Sequence, residues 1–318
     1  MQISVIVPCY NSMPILRTMI EKTTEELNAL GLTEHEFILV NDCSPKPETL
    51  PFLKSIADEF PSVKVVDLAK NAGQANAQVA ALHYVSGDII LNMDDDMQTH
   101  PKNIPALYNK LMEGYDLVLG SYIKKRHAFH RRLMTAMDNR FEEVFLKKPK
   151  DLSFTSFWIT RKYITDEIIK YRNPYAFMEG LFLRTAGKIA NVRIEHFDRS
   201  EGKSGYTLKK LFGLWSNFTG FTVLPLRIAG IVGGITACGG FIFGIVTLIR
   251  RILNPAMAAG YASLLCIMLF FFGLNMLFVG LIGEYVGRTF MAVNSAPQFV
   301  IKDTYHFDEE KDKKEDTK

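Results

Sequence analysis

Residues 89–98 read IILNMDDDMQ, an apolar run that ends in three consecutive carboxylates. A short, mostly apolar run before a polar break is typical of a buried strand. Ionised side chains at the end of such a strand repel one another unless a cation lies between them. Asp94 and Asp96 are spaced so that both can direct oxygens at one ion, and such oxygens suit magnesium or manganese shared with phosphate. The alternative is a solvated acidic turn, and the rest of the chain has to decide between the two.

Similar apolar runs occur elsewhere in the chain, and segments with helical spacing separate them. The predicted strands are Ile3–Val7, Phe37–Val40, Val63–Leu68, Ile89–Met93 and Leu117–Leu119. The predicted helices are Pro14–Leu30, Pro51–Phe60, Gly73–Val85 and Pro101–Glu113. Strands that alternate with helices form a parallel sheet, so we expect an α/β fold with a mostly parallel sheet.

Polar residues follow three of these strands. Pro8–Asn11 closes the first strand, Asn41 and Asp42 close the second, and Asp94–Asp96 closes the fourth. In open parallel sheets ligands bind beyond the carboxyl ends of the strands, so these residues are expected to converge on one crevice. The sequence has no Gly-x-Gly-x-x-Gly and no Walker-type loop, which argues against a dinucleotide site and a P-loop phosphate site.

The motifs at these strand ends resemble those of a known enzyme family. In chain order they are Val5–Asn11, Val40–Ser44, Asn71–Asp88, Met93–Gln98 before Pro101, and Arg199–Tyr206. The ending Gly280–Arg288 resembles the membrane-anchored bacterial members. Over nearly its whole length the chain is similar to family-two glycosyltransferases with the GT-A fold, and among them to polyprenyl-phosphate glycosyltransferases such as dolichyl- or undecaprenyl-phosphate sugar synthases.

The resemblance implies an inverting transfer of a sugar from a cytosolic, UDP-linked nucleotide sugar to a polyprenyl phosphate such as undecaprenyl phosphate. It implies that Asp42 contacts the nucleoside and that Asp94 and Asp96 are catalytic through a metal-bound diphosphate. Gln98 would be a further ligand of the Mg²⁺ or Mn²⁺ ion. The residues implied for nucleotide-sugar binding are Pro8, Tyr10, Asn11, Asp42, Asn71, Gln74, Asp94 and Asp95. Two positions depart from the family pattern: Ser12, where many relatives carry Glu, and Asp95, where a small residue is usual.

An acceptor phosphate has its own requirements. A polyprenyl phosphate is already an anionic nucleophile at neutral pH, because its second pKa is about 6 by analogy with phosphorylated side chains, so a strong general base is not essential. Arg can hold a phosphate through two parallel charge-assisted hydrogen bonds. The residues expected to hold the acceptor phosphate are Arg126, Arg131, Arg199 and Ser204. Arg199 is therefore counted with the catalytic residues.

Two late stretches, Ile228–Ile249 and Tyr261–Gly283, contain no charged residue. Each is long enough, at about 1.5 Å of rise per residue, to cross about 30 Å of hydrocarbon. They predict two transmembrane helices, with the buried hairpin of a soluble protein as the alternative. The 318 residues exceed one average domain, and 48% hydrophobic content fits a polar domain joined to an apolar anchor.

The start of the chain runs straight into a strand and has no secretion signal. We therefore expect a multi-pass protein of the inner or plasma membrane, with the catalytic domain and both termini in the cytosol. Arg250 and Arg251 run against this orientation, because they fall in the short loop that would face outward. The four cysteines show no zinc-type spacing and are expected to be plain thiols.

Two segments between the sheet and the hairpin are basic. The stretch Lys124–Arg132 surrounds Phe129 and indicates either a solvated face or a segment lying on anionic headgroups. Tyr206–Phe218 mixes apolar and basic residues and predicts an amphipathic helix at the membrane interface, or one packed on the catalytic domain. The expected domains are a nucleotide-sugar-binding GT-A core (1–122), an acceptor-side and membrane-interface segment (123–222), a transmembrane hairpin (223–290) and a cytosolic tail (291–318) whose charged end is disordered.

Two other functions remain open from the sequence. A processive polysaccharide synthase shares the core motifs, but the sequence contains no Gln-x-x-Arg-Trp and two spans are few for a polymer channel. A non-catalytic membrane scaffold or lipid-binding protein would have no need of the polar residues around the metal. The net charge of +3 gives no basis for a nucleic-acid partner. The expected partners are the nucleotide sugar, the lipid phosphate and the membrane, with a homo-oligomer left open.

Overall fold

The structure is a computed structural model and describes residues 1–12, 14–122, 143, 148–149, 151–194, 223–253, 260–294 and 297–307. Contacts within the chain divide it into two compact units, Met1–Tyr206 with Ser295–Lys318, and Thr207–Asn294. The first unit contains the sheet, and the second contains two long helices.

One sheet organises the first unit, and it has eight strands within the described residues. They are β1 (Ile3–Cys9), β2 (His35–Asn41), β3 (Val63–Leu68), β4 (Ile89–Asn92), β5 (Leu117–Tyr122), β6 (Trp158–Arg161), β7 (Ile189–Ile194) and β8 (Ile301–Tyr305). Their order is β7-β5-β6-β4-β1-β2-β3-β8. β1 pairs in parallel with β2 and β4, β2 with β3, and β5 with β7, while β6 is antiparallel to β4 and β5, and β8 to β3. The predicted mostly parallel α/β sheet is confirmed.

Helices separate the strands, and the first four of them lie at the places that the sequence predicts. They are α1 (Ile15–Ala29), α2 (Thr49–Glu59), α3 (Gln74–Leu82), α4 (Ile104–Met112) after a 3-10 turn at Pro101–Asn103, α5 (Lys162–Ile168) and α6 (Met178–Thr185). Gly31 and Gly114 follow α1 and α4 with φ of +76° and +97°. Glycine adopts this left-handed backbone without a steric cost, which is why both helices stop there.

The core lies on both faces of the central strands. Val5, Ile6 and Val7 are consecutive in β1 and all fully buried, so the strand is covered on both sides. α1 buries a stripe with helical spacing, formed by Leu16, Met19, Ile20, Thr23 and Leu27. Full burial of one apolar side chain of this size stabilises the fold by about 1.5–3 kcal/mol relative to exposure.

The sheet continues beyond residue 122, the expected end of the nucleotide-sugar-binding core. β6 lies between β4 and β5, β7 pairs with β5, and β8 forms the edge beside β3. These three strands fall in segments expected to form the acceptor side and the cytosolic tail. Each is short, and an antiparallel strand inserted between two earlier strands leaves no local signal in sequence periodicity. Three strands of the sheet therefore lie outside the segment 1–122 that was expected to form the core.

The second unit contains α7 (Leu224–Leu253) and α8 (Tyr261–Val293). Pro225–Thr247 and Phe270–Val293 within them are long and apolar enough to cross a membrane, by length and composition alone. The second of these spans includes Glu284 and Arg288, which pair at 2.7 Å one turn apart. Pairing lowers the cost of carrying two charges in an apolar helix.

Three predictions fall outside the described residues. They are the basic cluster at 124–132, the amphipathic helix at 206–218 and the charged end of the chain from 308.

Candidate active site

The carboxyl ends of β1, β2 and β4 lie side by side at one edge of the sheet, because the three strands are parallel neighbours. Hydrogen bonds join the turns that follow them. The backbone N–H of Asn11 donates to Ser44 Oγ at 3.0 Å, which links the ends of β1 and β2. Ser12 Oγ donates to Asp95 Oδ2, which links the ends of β1 and β4. The structure therefore brings the predicted strand-end residues to one place.

Asp94 is held by two side chains from different elements. Gln74 Nε2, in the first turn of α3, donates to Oδ1 at 2.8 Å, and Ser156 Oγ donates to Oδ2. Burial raises the pKa of Asp94 to about 6; the hydrogen bond from Ser156 opposes the rise, and the charges of Asp96 and Asp95 add to it. A nearby cation favours the ionised form of such a carboxyl group.

Asp95 and Asp96 complete the acidic turn. Burial also raises the pKa of Asp95. The hydrogen bond from Ser12 lowers this pKa and the charge of Asp96 raises it further, with a net rise. Ser12 and Asp95 are the two departures from the family pattern, and the structure pairs them. Asp96 Oδ1 accepts the backbone N–H of Gln98 at 3.1 Å, across Met97 with a φ of +56°. A hydrogen bond within the acidic turn therefore fixes its conformation.

Asp42 is buried, with 4% of its surface exposed, and holds the loop after β3. Its Oδ1 accepts the backbone N–H of Ala72 at 2.6 Å, and its Oδ2 accepts the backbone N–H of Gly73 at 2.9 Å and Nδ2 of Asn71 at 3.0 Å. These three hydrogen bonds fix the loop that begins α3. The nucleoside contact implied for Asp42, and the donor contacts implied for Asn71 and Gln74, stay predictions.

The turn after β1 combines a fixed backbone with an exposed ring. Asn11 has a φ of +57°, and its Oδ1 accepts the backbone N–H of Lys46 at 3.3 Å. Tyr10 is 53% exposed, while Pro8 lies within β1. An exposed aromatic ring at the strand ends could stack on a nucleobase. The structure bonds Asn11 to the turn after β2, and the donor roles of Pro8, Tyr10 and Asn11 stay predictions.

The acidic turn fits a divalent cation shared with a substrate. Among the residues that the structure describes, no three His, Cys, Asp or Glu side chains group as a metal site. The described residues therefore do not form a closed, protein-only site. Magnesium commonly takes one or two carboxylates and fills its remaining positions with substrate phosphate and water. Asp94 and Asp96 fit that scheme, since burial first, and the charges of Asp96 and Asp95 after it, raise the pKa of Asp94, and a bound cation would favour its ionised form. The part expected of Gln98 stays a prediction.

Two cysteines flank the site and differ in exposure. Cys9 is buried at the end of β1, and burial together with the charge of Asp95 raises the pKa of its thiol. Cys43 is exposed in the turn after β2, with a φ of +48°. Both are free thiols, as is Cys238 in α7, in agreement with the prediction for these three. Cys43 is therefore the accessible thiol of the two.

Some site residues lie outside the described part of the chain, and others escaped prediction. The acceptor-side residues Arg126, Arg131, Arg199 and Ser204 belong to the first group, so their roles stay predictions. Ser156 was not predicted as a site residue because it precedes β6, and the pairing of β6 with β4 is not visible in the sequence. Ser12 carried a signal, since it departs from the family pattern together with Asp95. Because both positions depart from the family pattern, a contact between Ser12 and Asp95 could have been predicted.

Solved structures of other proteins are similar to this chain in fold. Three structures of glucosyl-3-phosphoglycerate synthase from Mycobacterium tuberculosis are similar to it. The complex with Mn²⁺, uridine diphosphate and phosphoglyceric acid has 16% identity and a TM-score of 0.49, over 69% of this chain and 76% of that chain. The complex with Mn²⁺, UDP-glucose and phosphoglyceric acid has 18% identity and a TM-score of 0.44, over 69% and 77%. The complex with Mg²⁺ and uridine diphosphate has 17% identity and a TM-score of 0.45, over 69% and 77%.

A family model gives the assignment. The model described as "Glycosyl transferase family 2" matches residues 4–169, just over half of the chain. The match spans β1 to α5 and so includes every strand end that forms the site. On this match, the chain is a member of glycosyl transferase family 2.

Proposed function

We propose that this protein transfers a sugar from a UDP-linked nucleotide sugar to a polyprenyl phosphate, such as undecaprenyl phosphate, with inversion at the anomeric carbon. The observation that carries the proposal is the pair Asp94 and Asp96 at the carboxyl end of β4, in a family-two chain that also has two helices apolar enough to cross a membrane.

On the donor side, Asp94 and Asp96 would hold Mg²⁺ or Mn²⁺ together with the diphosphate of the donor, with Gln98 as a further ligand. When bound, the ion would supply positive charge to the departing nucleoside diphosphate. Gln74 and Ser156 keep the Asp94 carboxylate in one orientation before the donor arrives. A preorganised site avoids the cost of reorientation during the reaction.

On the acceptor side, the nucleophile is the phosphate oxygen of the lipid, which needs orientation more than deprotonation. Arg199, Arg126 and Arg131 are proposed to bind this phosphate, with Ser204 as an additional hydrogen-bond donor. A single displacement by that oxygen, with the nucleoside diphosphate leaving from the opposite face, inverts the configuration of the anomeric carbon. Charge neutralisation at both phosphates is then the main contribution of the protein.

The lipid acceptor requires a membrane location. Pro225–Thr247 and Phe270–Val293 are proposed to cross the inner or plasma membrane, with the catalytic domain on the cytosolic side. The charges at Arg250 and Arg251 oppose this orientation, but nucleotide sugars are cytosolic. The non-catalytic scaffold is disfavoured because three side chains, Ser12, Gln74 and Ser156, brace the acidic turn, a costly arrangement for a protein with no ligand there.

The test is mass spectrometry of lipid products formed by the full-length protein in detergent. The protein is incubated with Mg²⁺, a polyprenyl phosphate and a panel of UDP- and GDP-linked sugars. We expect one UDP sugar to give a lipid heavier by a single sugar residue, with release of uridine diphosphate. A polymer of many sugars would favour the processive synthase instead. Nucleotide binding without any lipid product across the panel would overturn the proposed acceptor.

A further inference from the structure

A buried polar pair lies between β2 and β3 at the same end of the sheet as the acidic turn. Asn41 and Asp67 are register partners, and each is only 4% exposed. Asn41 Nδ2 donates to Asp67 Oδ1 at 2.7 Å. Burying a carboxylate and an amide costs free energy unless both are hydrogen-bonded, so a pair in this position requires an explanation.

The pair continues into the turns that follow β1 and β2. Asn41 Oδ1 accepts Oγ of Ser44 at 2.6 Å and the backbone N–H of Ser44 at 3.2 Å. Ser44 Oγ in turn accepts the backbone N–H of Asn11 at 3.0 Å, and Asn11 Oδ1 accepts the backbone N–H of Lys46 at 3.3 Å. An unbroken line of hydrogen bonds, which we call the relay, therefore runs from Asp67 through Asn41 and Ser44 to Asn11.

The Asp67 end of the relay lies beside the edge strand β8. β8 pairs with β3 so that Asp303 faces Asp67, and the backbone N–H of Ala69 donates to the carbonyl oxygen of Val300 at 2.8 Å. Lys302 Nζ lies 3.7 Å from Asp67 Oδ2. The carboxylate of Asp67 thus has the amide of Asn41 on one oxygen and a cation near the other, and these contacts fix its position.

The backbone of both turns needs this support. Asn11 and Cys43 have φ of +57° and +48°, a left-handed conformation that non-glycine residues adopt at a cost. Asn41 is suited to the central place in the relay because its amide group donates to Asp67 and accepts from Ser44 at the same time. An Asp at 41 would bring two buried carboxylates together at the distance of a hydrogen bond.

We propose that Asp67, Asn41 and Ser44 are positioning residues for the nucleoside diphosphate of the donor. They act through Asn11 and the turn at 42–46, and none of them needs to touch the donor. This role rests on the proposed function. It adds three residues to the donor side and makes the geometry of the donor site depend on β8, a strand that follows the apolar helices in the chain.

The test reverses the direction of the central hydrogen bond. In the double variant Asn41→Asp/Asp67→Asn, the new amide at 67 donates to the new carboxylate at 41, which still accepts from Ser44. We expect Asn41→Asp alone to weaken the binding of uridine diphosphate with Mg²⁺ by about tenfold or more, measured by calorimetry on the full-length protein in detergent. The double variant should recover to within about threefold of wild type.

Two further measurements separate positioning from folding. Ser44→Ala leaves the strand pair in place, so its melting temperature should stay near that of wild type while the donor KM rises and kcat at saturating donor stays nearly unchanged. Asn28→Asp and Ser55→Ala, both at exposed positions of helices, are matched controls that should alter neither quantity. A melting temperature that falls in step with affinity in all relay variants would overturn the role.

The remaining outcomes are also decisive. Equal binding by wild type and Asn41→Asp would overturn the relay and leave the proposed function intact. A double variant that regains its melting temperature without regaining affinity would overturn the relay as well. Wild-type protein that binds no uridine diphosphate or other nucleoside diphosphate would overturn both. Binding with transfer to an acceptor other than a lipid phosphate would overturn the proposed acceptor and leave the relay standing.

Discussion

Ser156 Oγ donates a hydrogen bond to Oδ2 of Asp94, across 62 residues of sequence. The contact exists because Ser156 precedes β6, which runs antiparallel to β4 and so begins where β4 ends. Gln74 holds the other oxygen of the same carboxylate. Asp94 is therefore fixed from two sides before any ligand binds, and its geometry depends on a strand outside the parallel core.

We expect Ser156→Ala to loosen Asp94 without removing it. A hydrogen bond to a charged group contributes about 1.5–3 kcal/mol, so turnover should fall by about tenfold to a hundredfold. The Mg²⁺ concentration for half-maximal rate should rise as well, because a mobile carboxylate binds the ion less well. Steady-state rates over a Mg²⁺ titration measure both effects. An unchanged Mg²⁺ dependence would show that Ser156 does not position a metal ligand.

The carboxylates themselves should matter more. Asp94→Asn and Asp96→Asn are each expected to lower turnover by about 10² or more, the scale seen when a preorganised charge stabiliser is removed. Glu113→Gln, at an exposed surface ion pair, is the matched control and should retain normal activity. Normal turnover by Asp96→Asn with the metal chelated would refute the proposed site.

The strand ends could be predicted from the sequence because a parallel sheet places all its carboxyl ends at one edge. Asp94, Asp42 and Asn11 were placed correctly at that edge for this reason alone. Ser156 and Asp67 could not be placed, since their contacts depend on which strands become neighbours. The antiparallel insertion of β6 and the return of the chain as β8 follow from tertiary packing, which local periodicity does not encode.

Hydrogen-bond partners were harder to predict than positions. Asp42 was expected to contact the nucleoside, and the structure shows its carboxylate engaged by three donors of the 71–73 loop. Asn41 appeared in the same motif without an assigned role, although it bridges Asp67 and Ser44. A motif marks where a polar residue lies, but its partners depend on the other strands.

Glu36 gives a prediction about pH. Glu36 is buried, and burial by itself would raise the pKa of its carboxyl group. Hydrogen bonds from Lys64, Ser4 and Ser86 together outweigh burial, so the pKa of Glu36 lies below its ordinary value of 4.5. A carboxyl group whose pKa falls on folding stabilises the protein above its unfolded pKa, and this contribution is lost as the pH falls through the folded pKa. At pH 7, Glu36→Gln should therefore have a lower melting temperature than wild type. Its free energy of unfolding should be lower by about 1–3 kcal/mol.

The difference in melting temperature between wild type and Glu36→Gln should shrink as the pH falls below about 4.5, because both proteins then carry a neutral group there. Glu34→Gln, at an exposed position, is the control and should melt like wild type at both pH values. A difference that stays constant with pH would mean that the charge of Glu36 is not the source of its stabilisation.

A substitution at Arg199 tests the proposed binding of the acceptor phosphate. A guanidinium group can hold a phosphate through two parallel hydrogen bonds, which the point charge of Lys does not reproduce. Arg199→Lys should therefore lower transfer to a polyprenyl phosphate while the affinity for the nucleotide sugar stays the same. Arg17→Lys, at a surface ion pair with Glu59, is the control. Equal loss of both quantities would place Arg199 on the donor side, and no loss would remove it from the site.

Cys43 provides a direct test of where the donor binds. Its exposed thiol lies in the turn between Asp42 and Ser44, so a nucleoside diphosphate bound at the strand ends should shield it from a thiol reagent. The buried Cys9 should not react, because burial raises the pKa of its thiol.

The measurement uses protein in which Cys238 and Cys266 are replaced by Ala. At a uridine diphosphate concentration about ten times Kd, with Mg²⁺ present, the rate of Cys43 modification should fall roughly tenfold, since only the free protein reacts. Chelating the metal should remove most of this protection, because the diphosphate would then lose its link to the acidic turn. Protection that survives in Asp94→Asn with the metal chelated would show that the nucleotide binds the turn at 42–46 independently of the carboxylates. An unchanged rate at saturating nucleotide would place the donor away from this turn.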